Sequence, residues 1–152
     1  MELSHLLPPI IGCLGLYAAK YVYSLVMKYP EGEGVVAKIA EQIHLGAMVF
    51  MKREYNMLVK FAAVLFVLTF IFLGWATALC FLFGALASGA AGYIGMLISV
   101  QANVRTAEAS RKGLASGLNI SFKSGAVTGM LVAGLALLSI STYYLILLKL
   151  NI

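Results

Sequence analysis

The chain has 152 residues, of which 62% are hydrophobic and 11% charged, and its formal net charge is +5. This composition excludes a soluble globular protein, which needs more polar surface to stay dispersed. Because the basic residues are spread among apolar segments, the positive charge does not indicate nucleic-acid binding. Residues 61–104 carry no charged side chain, which is enough for two membrane spans of about 20 residues each. We therefore predict an all-α polytopic membrane protein, a single domain over residues 1–152 with four transmembrane helices.

The first predicted span covers residues 6–27. Pro8 and Pro9 fall in its first turn, where a missing N–H costs little. The preceding residues include Glu2 and His5 but no Lys or Arg, which is the wrong charge for a signal peptide, and the apolar stretch is too long for one. We therefore expect a retained helix.

Three side chains within the apolar segments, one lysine and two cysteines, are of types that can be functional in other proteins. Lys20 is close enough to the end of span one for its ammonium to reach the interface. The alternative is a lysine on an ion pathway, but no span offers it an acidic partner. Cys13 and Cys80 lie in apolar runs and are expected to be buried packing residues.

A polar connection is predicted over residues 28–56, before span two at 57–73. Pro30 ends the first helix, and two glycines loosen the chain after it. From Val35 to Tyr55 apolar residues recur at spacings of three and four, which predicts an amphipathic helix that continues into span two. These apolar positions are Val36, Ile39, Ala40, Ile43, Ala47, Phe50 and Met51.

The uncharged run is divided by a predicted turn at residues 74–77, where Trp75 fits an interfacial anchor. Span three then covers residues 78–100 and continues as a helix to Arg111. A second basic connection is assigned to residues 101–123, with a short link from Lys112 to Lys123. Span four covers residues 124–148.

The distribution of Lys and Arg predicts the orientation. Nine of them lie on one side, eight in the two connections and Lys60 in the first turn of span two: Lys28, Lys38, Lys52, Arg53, Lys60, Arg105, Arg111, Lys112 and Lys123. Lys149 alone lies at the opposite side. The positive-inside rule then places both connections in the cytoplasm and both termini outside, in a multi-pass protein of the cell inner membrane.

Small residues recur at a spacing of four in the last two spans. They are Gly84, Ser88 and Gly92 in span three, with Gly89 and Gly95 close by, and Gly125, Gly129 and Ala133 in span four. Such stripes let helix backbones approach closely in lipid. We expect spans three and four to pack against each other or against further helices; the alternative is that glycine is simply common in membrane helices.

The residues of this chain predict no catalytic, cofactor-binding or metal site. The sequence contains no aspartate, and its six acidic residues are glutamates outside the spans, at positions 2, 31, 33, 41, 54 and 108. Proton relays need ionisable side chains inside the bilayer, and magnesium–phosphate sites need clustered carboxylates. His5 and His44 are isolated from each other, and neither a nucleophile elbow nor a phosphate-binding loop is present.

Three motifs in order resemble membrane-bound, ion-translocating inorganic pyrophosphatases. They are GAMVFMKREY at residues 46–55, GYIGM at 92–96 followed by ANVRTA at 102–107, and SGAVTGM at 124–130. The match runs from Tyr29 to Leu148 and is similar to the first four transmembrane helices of that family. His44-Leu45 departs from the charged pair usual before Gly-Ala, which puts local cytoplasmic contacts in doubt.

The resemblance implies a homodimeric pump in which hydrolysis of magnesium pyrophosphate drives ion transport, in some members with K+. The family's catalytic aspartates and lysines lie on later helices, so the chain would be an N-terminal fragment or one half of a split pump, inactive alone. We carry over the motif residues as scaffold only: Gly46, Arg53, Tyr55, Gly92, Gly95, Asn103, Arg105, Gly125 and Gly129. The run Ile98-Ser99-Val100 and the sequence from residue 124 resemble proton pumps more than sodium pumps.

Two hypotheses therefore remain. The first is a scaffold of the pump, whose partners are the remaining helices and the lipid bilayer. The second is a self-standing four-helix interaction protein without catalysis, which uses its small-residue stripes to bind a membrane protein or itself. A small ion channel is disfavoured because no span is lined by polar residues.

Overall fold

The computed structural model describes residues 6–150, and this part of the chain folds into four helices without a strand. They are α1 (Leu7–Val26), α2 (Val35–Leu73), α3 (Trp75–Ser110) and α4 (Leu114–Leu150). All four are long and apolar enough to cross a membrane. The predicted all-α class with four transmembrane helices is confirmed. Glu2 and His5 lie outside the described residues.

Proline and glycine mark the helix boundaries. Pro8 and Pro9 lie in the first turn of α1, where backbone N–H groups have no helical acceptor. Gly74 alone separates α2 from α3, and its φ of +87° belongs to the region that favours glycine. The turn is therefore tighter than the predicted four residues, since α3 already begins at Trp75.

The last three helices are much longer than a bilayer is thick. They contain 39, 36 and 37 residues, so each is about 54–58 Å long against a hydrocarbon core of about 30 Å. α2 is continuous from its polar first half into its apolar second half, as the sequence predicts. The link assigned to Lys112–Lys123 is helical from Leu114 onward.

The helices pack in the order α2, α3, α4, α1, with a smaller contact between α1 and α3. Two layers of buried apolar side chains join α1, α3 and α4: Val26, Ala102, Ala109 and Ile120 in one, and Ala19, Ile98 and Val127 in the other. Both layers place the end of α1 beside the end of α3 and the start of α4. The α1–α2 and α3–α4 connections therefore lie at one end of the molecule, called here the basic end.

The backbones of α1 and α4 approach each other closely where the two helices cross. A Cβ atom added to Gly12 would lie 3.0 Å from the carbonyl oxygen of Gly134, and one added to Gly134 would lie 3.0 Å from the oxygen of Gly12. This crossing requires glycine on both helices, and neither glycine belongs to the stripes noted in the sequence.

One expectation about burial is wrong. Cys13 and Cys80 are exposed and unpaired in the described part of the chain, so they do not pack in its interior. On α2, Ile39, Ile43 and Phe50 are 55%, 45% and 57% exposed. The hydrophobic periodicity of this half of α2 therefore does not identify the face that packs within the described chain.

Candidate functional site: a buried arginine and an open groove

Arg105 holds the α1–α2 connection against α3. Its Nε donates to the carbonyl oxygen of Tyr29 at 3.1 Å, one terminal nitrogen donates to the carbonyl of Gln101 at 2.8 Å, and the other donates to Glu31 Oε1 at 2.6 Å. The Arg105 side chain is 8% exposed and that of Glu31 is 66% exposed. Among the described residues Arg105 is the only buried charged side chain. All three guanidinium nitrogens are thus used within the chain.

The local sequence explains how the connection reaches Arg105. Pro30 prevents α1 from continuing, and Gly32 adopts a φ of +82°. A Cβ at Gly32 would lie 2.9 Å from Glu108 Oε2, so glycine lets the connection pass close to α3. Glu108 Oε2 lies 3.3 Å from Arg111 Nε, yet this buried oxygen accepts no hydrogen bond from the residues described.

A second set of polar contacts surrounds the connection. The Tyr23 hydroxyl donates to Gln101 Oε1 at 2.9 Å, which ties α1 to α3. The Lys123 ammonium donates to the Tyr29 hydroxyl at 3.4 Å and lies 5.5 Å from the centre of the same ring, a cation–π arrangement. The connection therefore touches both α3 and α4.

A cleft of about 240 Å³ lies beside Arg105 between α2 and α3. Its polar lining comprises Glu31, Glu41, His44, Gln101 and Arg105. The described residues hold no group of three His, Cys, Asp or Glu side chains able to bind a metal ion. His44, which replaces part of the charged pair usual before Gly-Ala in the family, lines this cleft. His5 is outside the described residues.

Tyr55 fixes α2 to the glycine-rich part of α3. Its hydroxyl donates to the carbonyl of Gly89 at 2.6 Å, and its ring packs edge-on against Tyr93 with centroids 5.8 Å apart. A Cβ added to Gly92 would lie 3.1 Å from the same hydroxyl. The first two motifs of the resemblance therefore meet at this contact.

A groove of about 860 Å³ runs between α3 and α4. Gly95 is buried at its base, where an added Cβ would lie 3.1 Å from Thr128 Cγ2. Gly125 and Gly129 face the groove, but a Cβ on either would meet no atom within 4 Å. The groove is lined by Ala91, Gly92, Gly95, Met96, Ser99, Ala102, Asn103, Thr106, Ser121, Ser124, Gly125, Thr128, Gly129, Val132 and Ala133.

The two small-residue stripes therefore do not interlock along their whole length. α3 and α4 are neighbours, as expected, but most of their glycines border a shared groove. Of the remaining motif residues, Gly46 and Arg53 are exposed on α2, and an added Cβ at Gly46 would meet nothing within 4 Å. Lys20 is exposed on α1.

Sequence reasoning missed the partners of Arg105. Glu31 and Tyr29 were noted only as part of a connection, and Gln101 only as part of a continuing helix. Pro30 and the following glycines signal a loop but carry no information about what the loop contacts. Chemically, the network can hold a loop in place, because three of the five guanidinium N–H groups of Arg105 donate to groups of the same chain.

The sequence profile described as "Inorganic H+ pyrophosphatase" matches residues 13–151. A putative K+-stimulated pyrophosphate-energized sodium pump of Clostridium tetani is 45% identical over 121 residues, covering 80% of this chain and 18% of the relative. A K+-insensitive pyrophosphate-energized proton pump of Methanosarcina mazei is 41% identical over 140 residues, covering 91% and 21%. A K+-stimulated pyrophosphate-energized sodium pump of Thermotoga maritima is 38% identical over 135 residues, covering 88% and 18%. The chain thus spans about a fifth of the length of these relatives.

Proposed function

The chain belongs to the inorganic H+ pyrophosphatase family, and we propose that it forms part of the membrane scaffold of a pyrophosphate-energised ion pump. In this role it contributes no catalytic group. The activity of the pump, hydrolysis of magnesium pyrophosphate coupled to ion transport, is proposed for the assembly that contains this chain together with a part corresponding to the rest of the relatives.

The state of Arg105 carries this proposal. A catalytic or substrate-binding arginine must present nitrogens to its ligand. Here Arg105 is buried, and three of its five N–H groups, one on each nitrogen, donate to groups of the same chain. Its contacts bind the α1–α2 connection to α3, which is what a scaffold needs at the end of the molecule where the connections lie.

The described residues do not fit a magnesium site. Mg²⁺ prefers carboxylate oxygens around an octahedral centre. Glu31 is paired with Arg105, and neither it nor the other described glutamates belongs to a group of three potential ligands. We therefore assign the magnesium of the pump, and K+ if it is required, to the part of the assembly outside this chain.

We propose the remaining features from the sequence. The basic end lies in the cytoplasm, both termini lie outside, and the complete pump is a homodimer of the cell inner membrane. Protons are the proposed coupling ion, because the run from Ile98 to Val100 resembles proton pumps. The relatives named above include both proton and sodium pumps, so this ion assignment needs its own measurement.

A chimera tests the proposal. The segment of the Methanosarcina mazei pump that matches this chain is replaced by the chain, and pyrophosphate hydrolysis and ion uptake are measured in inverted membrane vesicles. We expect magnesium-dependent hydrolysis together with acidification of the vesicle interior that does not require Na+. A well-expressed chimera without hydrolysis would contradict the scaffold role, whereas Na+-dependent uptake would overturn the proton assignment alone.

A further inference from the structure

We propose that one face of α1 near the basic end binds a phospholipid with an anionic headgroup. This face, called here the α1 face, consists of Tyr17, Lys20, Tyr21 and Ser24, with Lys28 one turn further along the chain. The proposal adds a ligand to the scaffold role, and its main test is made on the chain alone, without pyrophosphate hydrolysis.

The α1 face points away from the other helices. Because an α-helix turns by about 100° per residue, the four members within α1 lie in an arc of about 100°, and all four are exposed. The buried residues of α1, which are Gly12, Ala19 and Val26, lie on the opposite side. Tyr17 and Tyr21 are 73% and 60% exposed. Nothing in the described part of the chain therefore covers this face.

Lys20 is an unpaired charge inside the apolar span. α1 has 20 residues and is about 30 Å long, which matches the hydrocarbon core of a bilayer. Lys20 then lies about 9 Å inside the end of α1 at Val26. Within residues 6–150 it forms neither an ion pair nor a hydrogen bond. A charge at this depth is costly without a partner, and its stem lets the ammonium approach the lipid phosphates.

Two tyrosine hydroxyls beside Lys20 also lack partners. In the part of the chain that the structure describes, neither Tyr17 nor Tyr21 forms a side-chain hydrogen bond. Tyr23, which faces α3 instead, donates its hydroxyl to Gln101 at 2.9 Å. A phenol in apolar surroundings is costly without a hydrogen bond. Phosphate and ester oxygens of a lipid beside Lys20 would accept from both free hydroxyls.

The same side of α1 becomes apolar further from the basic end. Ile10 and Leu14 are 52% and 62% exposed there. The order of side chains along α1 therefore matches one phospholipid, with its headgroup between Lys20 and Lys28 and an acyl chain along Ile10 and Leu14. Two lysines and no acidic residue on the α1 face favour an anionic headgroup over a zwitterionic one.

A second copy of the chain fits this face poorly. In the same membrane orientation it would place its own Lys20 at the same depth, where the two charges would repel each other. A helix from the rest of the pump that carries a carboxylate is the competing occupant, and the last experiment below distinguishes it from a lipid.

The test is native mass spectrometry of the detergent-purified chain, titrated with phosphatidylglycerol or with phosphatidylcholine of the same acyl chains. Lys20→Gln removes the charge, and a Tyr17→Phe, Tyr21→Phe double variant removes only the hydroxyls. Lys60→Gln is the matched control, because it removes the same charge from an exposed lysine at the start of span two that has no tyrosine one turn away. Thermal unfolding verifies that each variant folds.

We expect phosphatidylglycerol to bind about tenfold more tightly than phosphatidylcholine. Lys20→Gln should weaken its binding about tenfold, the double tyrosine variant about threefold or more, and Lys60→Gln less than about twofold. Equal losses in Lys20→Gln and Lys60→Gln would show diffuse attraction to positive charge and overturn the site. Equal binding of the two lipids would overturn the anionic headgroup.

The same titration on the chimeric pump described above identifies the occupant in the assembly. We expect Lys20→Gln to lower the retained phosphatidylglycerol there as it does in the isolated chain, with the chimera still intact. If Lys20→Gln changed lipid retention only in the isolated chain, a helix of the pump would cover the α1 face, and the lipid assignment would be overturned.

Discussion

Replacing Arg105 by methionine should free the α1–α2 connection. Methionine keeps an unbranched side chain of similar length but donates no hydrogen bond. The charged bond to the Tyr29 carbonyl is worth roughly 1.5–3 kcal/mol net, whereas the bond to the Gln101 carbonyl lies within α3 and does not hold the connection. The pair with the exposed Glu31 carboxylate adds up to about 1 kcal/mol. Part of this is offset because a buried guanidinium is no longer desolvated, so we expect a loss of about 2 kcal/mol.

Limited trypsin digestion of the chain in detergent measures this loss locally. Lys28 is exposed at the start of the connection, and cleavage after it requires the connection to open. A loss of about 2 kcal/mol corresponds to cleavage roughly 30-fold faster. Arg111→Met is the control, since Arg111 is 65% exposed and pairs only with Glu108 on the same helix; its effect should be below about threefold.

Glu31→Gln separates the carbonyl contacts from the ion pair. The amide oxygen of glutamine still accepts from Arg105 while the charge is lost, and at an exposed pair this costs less than about 1 kcal/mol. We therefore expect cleavage after Lys28 to rise less than about fivefold. If Glu31→Gln matched Arg105→Met, the ion pair and not the bond to the Tyr29 carbonyl would hold the connection. No acceleration in either variant would refute the clamp altogether.

Three further substitutions test the helix contacts, each read from the unfolding midpoint of the isolated chain. Tyr55→Phe removes the hydroxyl that donates to Gly89 and should cost about 0.6–1.5 kcal/mol; an unchanged midpoint would show that the hydrogen bond is not needed. Gly134→Ala places a Cβ 3.0 Å from the Gly12 oxygen and should cost about 1–3 kcal/mol, whereas a gain from higher helix propensity would contradict the close crossing. Gly74→Ala forces a side chain into a φ of +87° at a cost of about 1–3 kcal/mol; a rise in the midpoint would argue against this backbone at the turn.

The sequence predicts the elements of this fold well because their signals are local. Uncharged runs of sufficient length specify membrane helices, Pro30 and the following glycines specify the first connection, and Gly74 specifies the helical hairpin. The continuity of α2 also follows locally, since no breaker lies between Val35 and Leu73. The polarity of the link from Lys112 to Lys123 indicated a loop, but its residues belong to α4 from Leu114 onward.

The packing could not be predicted in the same way. In a soluble protein, water forces apolar side chains inward and periodicity reveals the core. In lipid this force is absent, so Cys13 and Cys80, which lie in the spans, are exposed. Ile39 and Phe50, on the polar half of α2, are exposed as well. The α1–α4 crossing depends on single glycines, Gly12 and Gly134, which a search for spaced stripes does not select.

The candidate site was predicted in part. The resemblance selected Arg105 and Tyr55 as scaffold residues, and both make contacts between helices. Their partners were not predictable because they are separated from them by 34 to 76 positions in sequence and include backbone carbonyls, which every residue possesses.

The scaffold role is tested most directly by measuring pyrophosphate hydrolysis in two kinds of membrane. One contains this chain alone, and the other contains it together with a Methanosarcina mazei pump that lacks the segment matching this chain. Both are assayed with magnesium, with and without K+. The account predicts no hydrolysis by the chain alone and hydrolysis by the pair that depends on the chain. Hydrolysis by the chain alone, lost when the chain is removed, would contradict it and would place catalytic groups among the glutamates and basic residues of the basic end.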